Sequence, residues 1–166
     1  MAIKFLSQYH GFLKVGINLE GAVKGKKIDS IQLKKICKGI KKDKTDVQIL
    51  ILSSPKNYLL TQEIVNDLDL NYVATCYITK KILDVAAIIK HLDIIISPDT
   101  SIVHIASALN KPIVSIHEKN LDSFYLFAPT SSKNKTVFSS QKNSLQGFDV
   151  NKVVEFSNEL IKELNK

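Results

Sequence analysis

A chain of 166 residues, 45% hydrophobic and 23% charged, has the size and balance of one globular domain with a sizeable core. Its formal net charge is +7, yet all 23 basic residues are lysine. The lack of arginine and of basic-aromatic interleaving argues against nucleic-acid reading, which leans on bidentate arginine contacts and stacked rings.

Residues 1–12 hold too short an apolar segment for a secretory signal and are expected to be a connecting segment ahead of a domain over 13–166. Residues 13–19 (LKVGINL) read as a strand, and 20–27 (EGAVKGKK) as a glycine- and lysine-rich loop. Asp29 or Ser30 can cap a helix that places Leu33, Ile36, Cys37 and Ile40 on one face. Residues 47–52 (VQILIL) form a continuous apolar run, as expected of a strand covered on both sides, and Ser53-Ser54-Pro55 ends it. A helix is expected over 58–68 and a short strand over 72–76. Cys37 and Cys76 match no metal or redox spacing, so two free thiols in a reducing cytosol are expected.

Thr79 is expected to open a helix through His91, with Ile82, Val85, Ala86 and Ile89 turned inward. Lys90, His91 and Asp93 break the apolar stretch 82–96 well short of the roughly 20 residues that span a bilayer. A strand at 94–96, a helix at 100–110 and a strand at 113–116 follow. Residues 118–148 read as irregular apart from one short strand at 136–138, and an amphipathic helix capped by Asp149 closes the chain to about Leu164. Strand and helix alternate, and the strands lack period-two patterning. That predicts an α/β fold, a Rossmann-like open parallel sheet with helices on both faces.

In such sheets ligands sit beyond the carboxyl ends of the strands. Asp99-Thr100-Ser101 lies at such an end and opens a helix. The first amides of a helix lack internal partners and carry the positive end of its dipole. The amides of Thr100, Ser101 and Ile102, with the Thr100 and Ser101 hydroxyls, are thus candidate donors to a diphosphate. A plain N-cap at Asp99 or Thr100 accounts for the same triplet. His104, one turn on among apolar neighbours, is either a core histidine or a phosphate or sugar contact facing the helix start. Lys24, Lys26 or Lys27 can reach a diphosphate as a point charge, although Lys-Gly-Lys-Lys is also an ordinary surface turn. No paired carboxylates, GxGxxG, P-loop, zinc spacing or nucleophile elbow is evident.

The stretch SPDTSIVHIASALNKPIVSI (97–116) resembles the signature of the bacterial heptosyltransferases, the ADP-heptose:lipopolysaccharide transferases of glycosyltransferase family 9. Asp99, Thr100, His104, Ala106, Ala108 and Pro112 match that signature position by position. VGINLEGAVKGKK (15–27) is similar to the strand and loop that open the family's donor half. ITKKILDVAAIIKHLDIIIS (78–97) is similar to the helix and strand before its signature. The resemblance covers about residues 13–164 and implies the C-terminal domain of a GT-B glycosyltransferase, two Rossmann-like domains with the active site between them. It implies a nucleotide-diphosphate-sugar donor, ADP-heptose, held by Asp99, Thr100, Ser101, Ile102, His104, Lys24 and Lys26, without metal or cofactor.

The resemblance further implies inverting transfer to a lipopolysaccharide core acceptor. Acceptor site and catalytic base are expected on the other half, so this chain alone is expected to be inactive. A cytoplasmic location with peripheral contact to the inner membrane, and no nucleic-acid partner, go with it. Two departures stand out. Ser101 replaces a glycine of the signature, and SIHEKN (115–120) replaces a Phe-Gly-Pro-Thr-like turn. His117 and Glu118 are therefore either rim residues near the sugar or base, or plain loop residues. Two alternatives stay open: a non-catalytic nucleotide- or sugar-binding module, and part of a GT-B-like sugar-nucleotide epimerase.

Overall fold

The computed structural model describes residues 1–21, 27–42, 44, 46–141 and 144–164. Six parallel strands form one sheet: β1 (Leu13–Asn18), β2 (Val47–Leu52), β3 (Val73–Thr75), β4 (Ile94–Pro98), β5 (Ile113–His117) and β6 (Asn134–Phe138). Their order is β3-β2-β1-β4-β5-β6. The chain winds outward from β1 to β3, returns to lay β4 beside β1, and winds outward the other way. The loops leaving β1 and β4 therefore part to opposite sides and open a crevice at the carboxyl edge.

Helices cover both faces, as the unbroken apolar strands require. Alternate residues of each strand feed two cores. Ile49, Ile51, Ile94, Ile96, Val114 and Ile116 pack against α2 (Ser30–Lys41), α3 (Tyr58–Leu68) and α7 (Val150–Leu164). Leu50, Leu52, Ile95 and Ile113 pack against α1 (Ala2–Leu6), α4 (Ile82–Lys90) and α5 (Ser101–Ala108). The caps follow the sequence. Asp29 accepts the Gln32 amide at 2.8 Å, and Gln32 returns a bond to the Asp29 amide at 3.0 Å. Asp149 accepts from Asn151 and Lys152 at 2.9 and 3.2 Å. Among the described residues no helix is long and apolar enough to cross a membrane.

Residues 1–12 carry α1, whose Ala2 and Leu6 are buried in the second core, with Phe5 edge-on to Tyr77 at 5.4 Å. Three local expectations change. α4 begins at Ile82 and not at Thr79, because the Asp84 carboxylate takes the amides of Lys80 and Lys81 at 2.9 and 3.0 Å. Ile82 is consequently 55% exposed, and Ile88 and Ile89 are the fully buried residues of that helix. Within 118–148 a short helix, α6 (Leu121–Phe127), stands after β5, capped by Asn120, which accepts the Ser123 amide at 3.2 Å. It buries none of its residues, so no apolar periodicity announces it. β6 starts two residues before the expected strand, at Asn134, because its backbone pairs with Ile113 at the sheet edge.

Candidate functional site

The crevice between β1 and β4 is closed by side chains. Asn18 ends β1, is buried, and donates its side-chain amide to the Glu20 carbonyl at 2.8 Å, to Ser97 Oγ at 3.0 Å and to Thr100 Oγ1 at 3.3 Å. Glu20 in turn accepts the Ser54 amide at 2.8 Å, which ties the loop after β1 to the loop after β2. Sequence reasoning missed Asn18 and Glu20. The available signal was a lone amide closing an otherwise apolar strand.

Thr100 is the N-cap of α5, extended at φ −153° and ψ 178°, and its Oγ1 accepts the Ile102 amide at 3.2 Å. Asp99 does not cap the helix. Its own amide bonds to the Ile116 carbonyl at 3.0 Å, and its carboxylate turns toward β5. The Ile102 amide is thus taken up by the cap, and the Ser101 amide, at the first helical position, is the open donor of this helix start. Ser101 is exposed, and Thr100 is partly so.

Thr100, Ser101 and Ile102 open into a cavity of about 510 Å³. Asn18, Glu20, Gly21, Ser53 and Ser54 line its polar side. Leu52, Cys76, Tyr77, Ile82, Val85 and Ile88 form an apolar wall. Burial pushes the Cys76 thiol up to about 12. Burial also raises Tyr77, with Asp84 and Cys76 adding in the same direction. A larger, open basin of about 1120 Å³ lies at the opposite edge, lined by Lys14, Lys90, Lys111 and Asp93 among others. The smaller cavity lies at the edge where helices start, and Lys80 and Lys81 also line it, which favours anions there.

The remaining expected residues are scattered. His104 is exposed, does not line the cavity, and sets its ring edge-on to Phe127 of α6 at 6.2 Å. His117 is only 2% exposed, and its Nδ1 lies 3.7 Å from Asp99 Oδ2. Its ring stands edge-on to Phe124 at 5.0 Å. Glu118 is half-buried. Lys24 and Lys26 lie outside the described residues, and Lys27 is exposed. Among the described residues no group of His, Cys, Asp and Glu is placed to hold a metal ion.

The sequence profile of glycosyltransferase family 9 (heptosyltransferase) matches residues 17–155. Three solved structures share the fold. ADP-heptose lps heptosyltransferase II of E. coli aligns with a TM-score of 0.82 at 17% identity, over 99% of this chain and 52% of its own. A glycosyl transferase family 9 protein of Veillonella parvula DSM 2008 aligns at 0.80 and 15% identity, over 98% and 51%. E. coli heptosyltransferase WaaC, solved with ADP, aligns at 0.73 and 16%, over 96% and 48%. The chain therefore spans about half the length of each structure it matches. No curated protein sequence matches significantly. The profile match, the sheet order and the helix start at the crevice agree: the chain belongs to glycosyltransferase family 9, the heptosyltransferase family.

Proposed function

We propose that this chain is the donor-binding half of a heptosyltransferase-like enzyme and holds the nucleoside diphosphate of an activated sugar, such as ADP-heptose, in the carboxyl-edge cavity. The observation that carries this reading is the junction of two surfaces. Thr100 and Ser101, at the start of α5, line one end of a cavity whose other side is apolar. A nucleotide needs both, and about 510 Å³ falls within the roughly 300–1,000 Å³ usual for small-ligand sites. The related WaaC structure contains ADP, which supports the ligand class.

In this reading the diphosphate lies on the start of α5, with Lys24 or Lys26 adding a point charge from the loop after β1. The base packs on Leu52, Tyr77 and Val85. Transfer breaks the bond between the sugar and the diphosphate, and positive dipoles at α5 stabilise the leaving oxygen. The acceptor's hydroxyl oxygen bonds to the sugar carbon as the diphosphate leaves. A second domain of similar size, in line with the half-length alignment, supplies the acceptor site and the base that takes the hydroxyl proton. Exposed Leu59, Leu60, Leu83, Leu121, Tyr125 and Leu126 sit on the helices that start at this edge, where such a domain would cover them. Transfer to a lipopolysaccharide acceptor by this chain alone contradicts that division of labour.

Titration with ADP, UDP and GDP, followed by calorimetry and by amide shifts, tests the site. Saturable binding that moves the Ser101 and Tyr77 amides is expected. No binding up to millimolar ligand by the folded chain overturns the nucleotide reading.

A further inference from the structure

We infer that His117 is a positioning residue: it draws the Asp99 carboxylate toward β5 and so keeps the start of α5 open to an anionic ligand. The inference rests on the nucleotide reading of the site and names a residue that reading does not require.

The geometry has three parts. Asp99 directly precedes the N-cap, a place from which an aspartate side chain can turn onto the first amides of a helix and compete with an incoming phosphate. Its Oδ2 instead lies 3.7 Å from Nδ1 of His117, the last residue of the neighbouring strand. β4 and β5 pair in register through Pro98 and Ile116, so the two side chains leave adjacent strand ends together. His117 cannot swing away. Its ring is 2% exposed, edge-on to Phe124 of α6 at 5.0 Å and tilted against Phe138 of β6 at 6.4 Å. Its carbonyl also accepts the Ser139 amide at 2.8 Å, which fixes the strand end.

The charge consequence follows from Coulomb's law. A bare carboxylate beside a diphosphate repels it, and a protonated imidazole beside that carboxylate cancels the repulsion. Histidine is the side chain whose ordinary charge change lies nearest neutral pH, so ADP binding is compared across that range. The elements packed on the ring contribute apolar Phe124 and Phe138, while Asp122 and Tyr125 of α6 are exposed. Asp99 and the next residue, Glu118, bring carboxylates to His117.

The test compares wild type, His117→Phe and Asp99→Asn, with ADP as the probe, between pH 8 and 6. Phenylalanine keeps the packing on Phe124 and Phe138 and removes the charge. Charge contacts at a helix start change binding by roughly 3- to 30-fold. His117→Phe is expected to bind ADP that much more weakly than wild type at pH 6, with the gap narrowing toward pH 8. Asp99→Asn is expected to erase the pH-dependent difference, and it serves should His117→Phe fail to fold. Parallel pH profiles for wild type and both variants overturn the inference while leaving the nucleotide site intact. If no protein binds ADP, the nucleotide reading fails, and the proton NMR titration of His117 still judges the pair. A midpoint that falls in Asp99→Asn supports the pairing, and an unchanged midpoint overturns it.

Discussion

The side-chain amide of Asn18 lies 3.3 Å from Oγ1 of Thr100, so the end of β1 holds the residue that caps α5 across the central crevice of the sheet. The same amide reaches Ser97 Oγ and the Glu20 carbonyl. Asn18 is buried, and removing a buried hydrogen-bonding partner costs about 1–3 kcal/mol. Asn18→Ala is expected to lose that much stability in urea denaturation and to weaken nucleotide binding, because the α5 cap loses its brace. Wild-type stability in this variant is incompatible with the brace.

The two thiols are expected to be silent. Cys37 and Cys76 are buried, and burial pushes both thiols up to about 12, so almost no thiolate exists at pH 8. Alkylation by iodoacetamide should track global unfolding. Bound ADP stabilises the folded chain and should slow the labelling of both cysteines alike. Rapid labelling of Cys76 in the folded chain argues against the closed apolar wall.

Asp84 anchors the turn before α4, one wall of the cavity. Backbone hydrogen bonds from Lys80 and Lys81 hold its carboxyl below the usual value. A depressed folded value means the contribution is present above the ordinary aspartate range, about 3.9, and is lost as pH falls through the lower folded value. Hydrogen exchange at the Lys80 and Lys81 amides should therefore lose its protection only in that acid window. Asp84→Asn should show reduced protection at neutral pH. Equal protection in the variant contradicts the anchor.

Much of this architecture is legible in the residues themselves. The unbroken apolar run of β2, the helix stripe of Leu33, Ile36, Cys37 and Ile40, and the Asp29 and Asp149 caps each appear where the local pattern puts them. α6 was not legible, because a helix with no buried residue carries no inward face to read. The start of α4 was displaced by one side chain: Asp84 bonds backward to Lys80 and Lys81, and propensity does not register such a bond. The helix start at Thr100 and Ser101 could be read from Asp-Thr-Ser at a strand end. Its setting could not. Asn18 lies 82 positions from Thr100, and the His117–Asp99 pair joins two strands. His104 shows the same limit, since helical spacing places it one turn from Thr100 while its neighbour in space is Phe127.

The most direct test of the central claim removes one amide proton. Proline is well tolerated at the first position of a helix, and the extended Thr100 before it suits a following proline. Ser101→Pro should therefore fold with nearly wild-type stability while lacking the N–H that faces the diphosphate. Ser101→Ala controls for the lost hydroxyl. A hydrogen bond to a charged group contributes roughly 1.5–3 kcal/mol, equivalent to about a 10- to 150-fold change in affinity. Calorimetric titration with ADP should show that loss in Ser101→Pro relative to Ser101→Ala at matched melting temperature. Equal affinity in the two folded variants would mean that the start of α5 does not hold the phosphates.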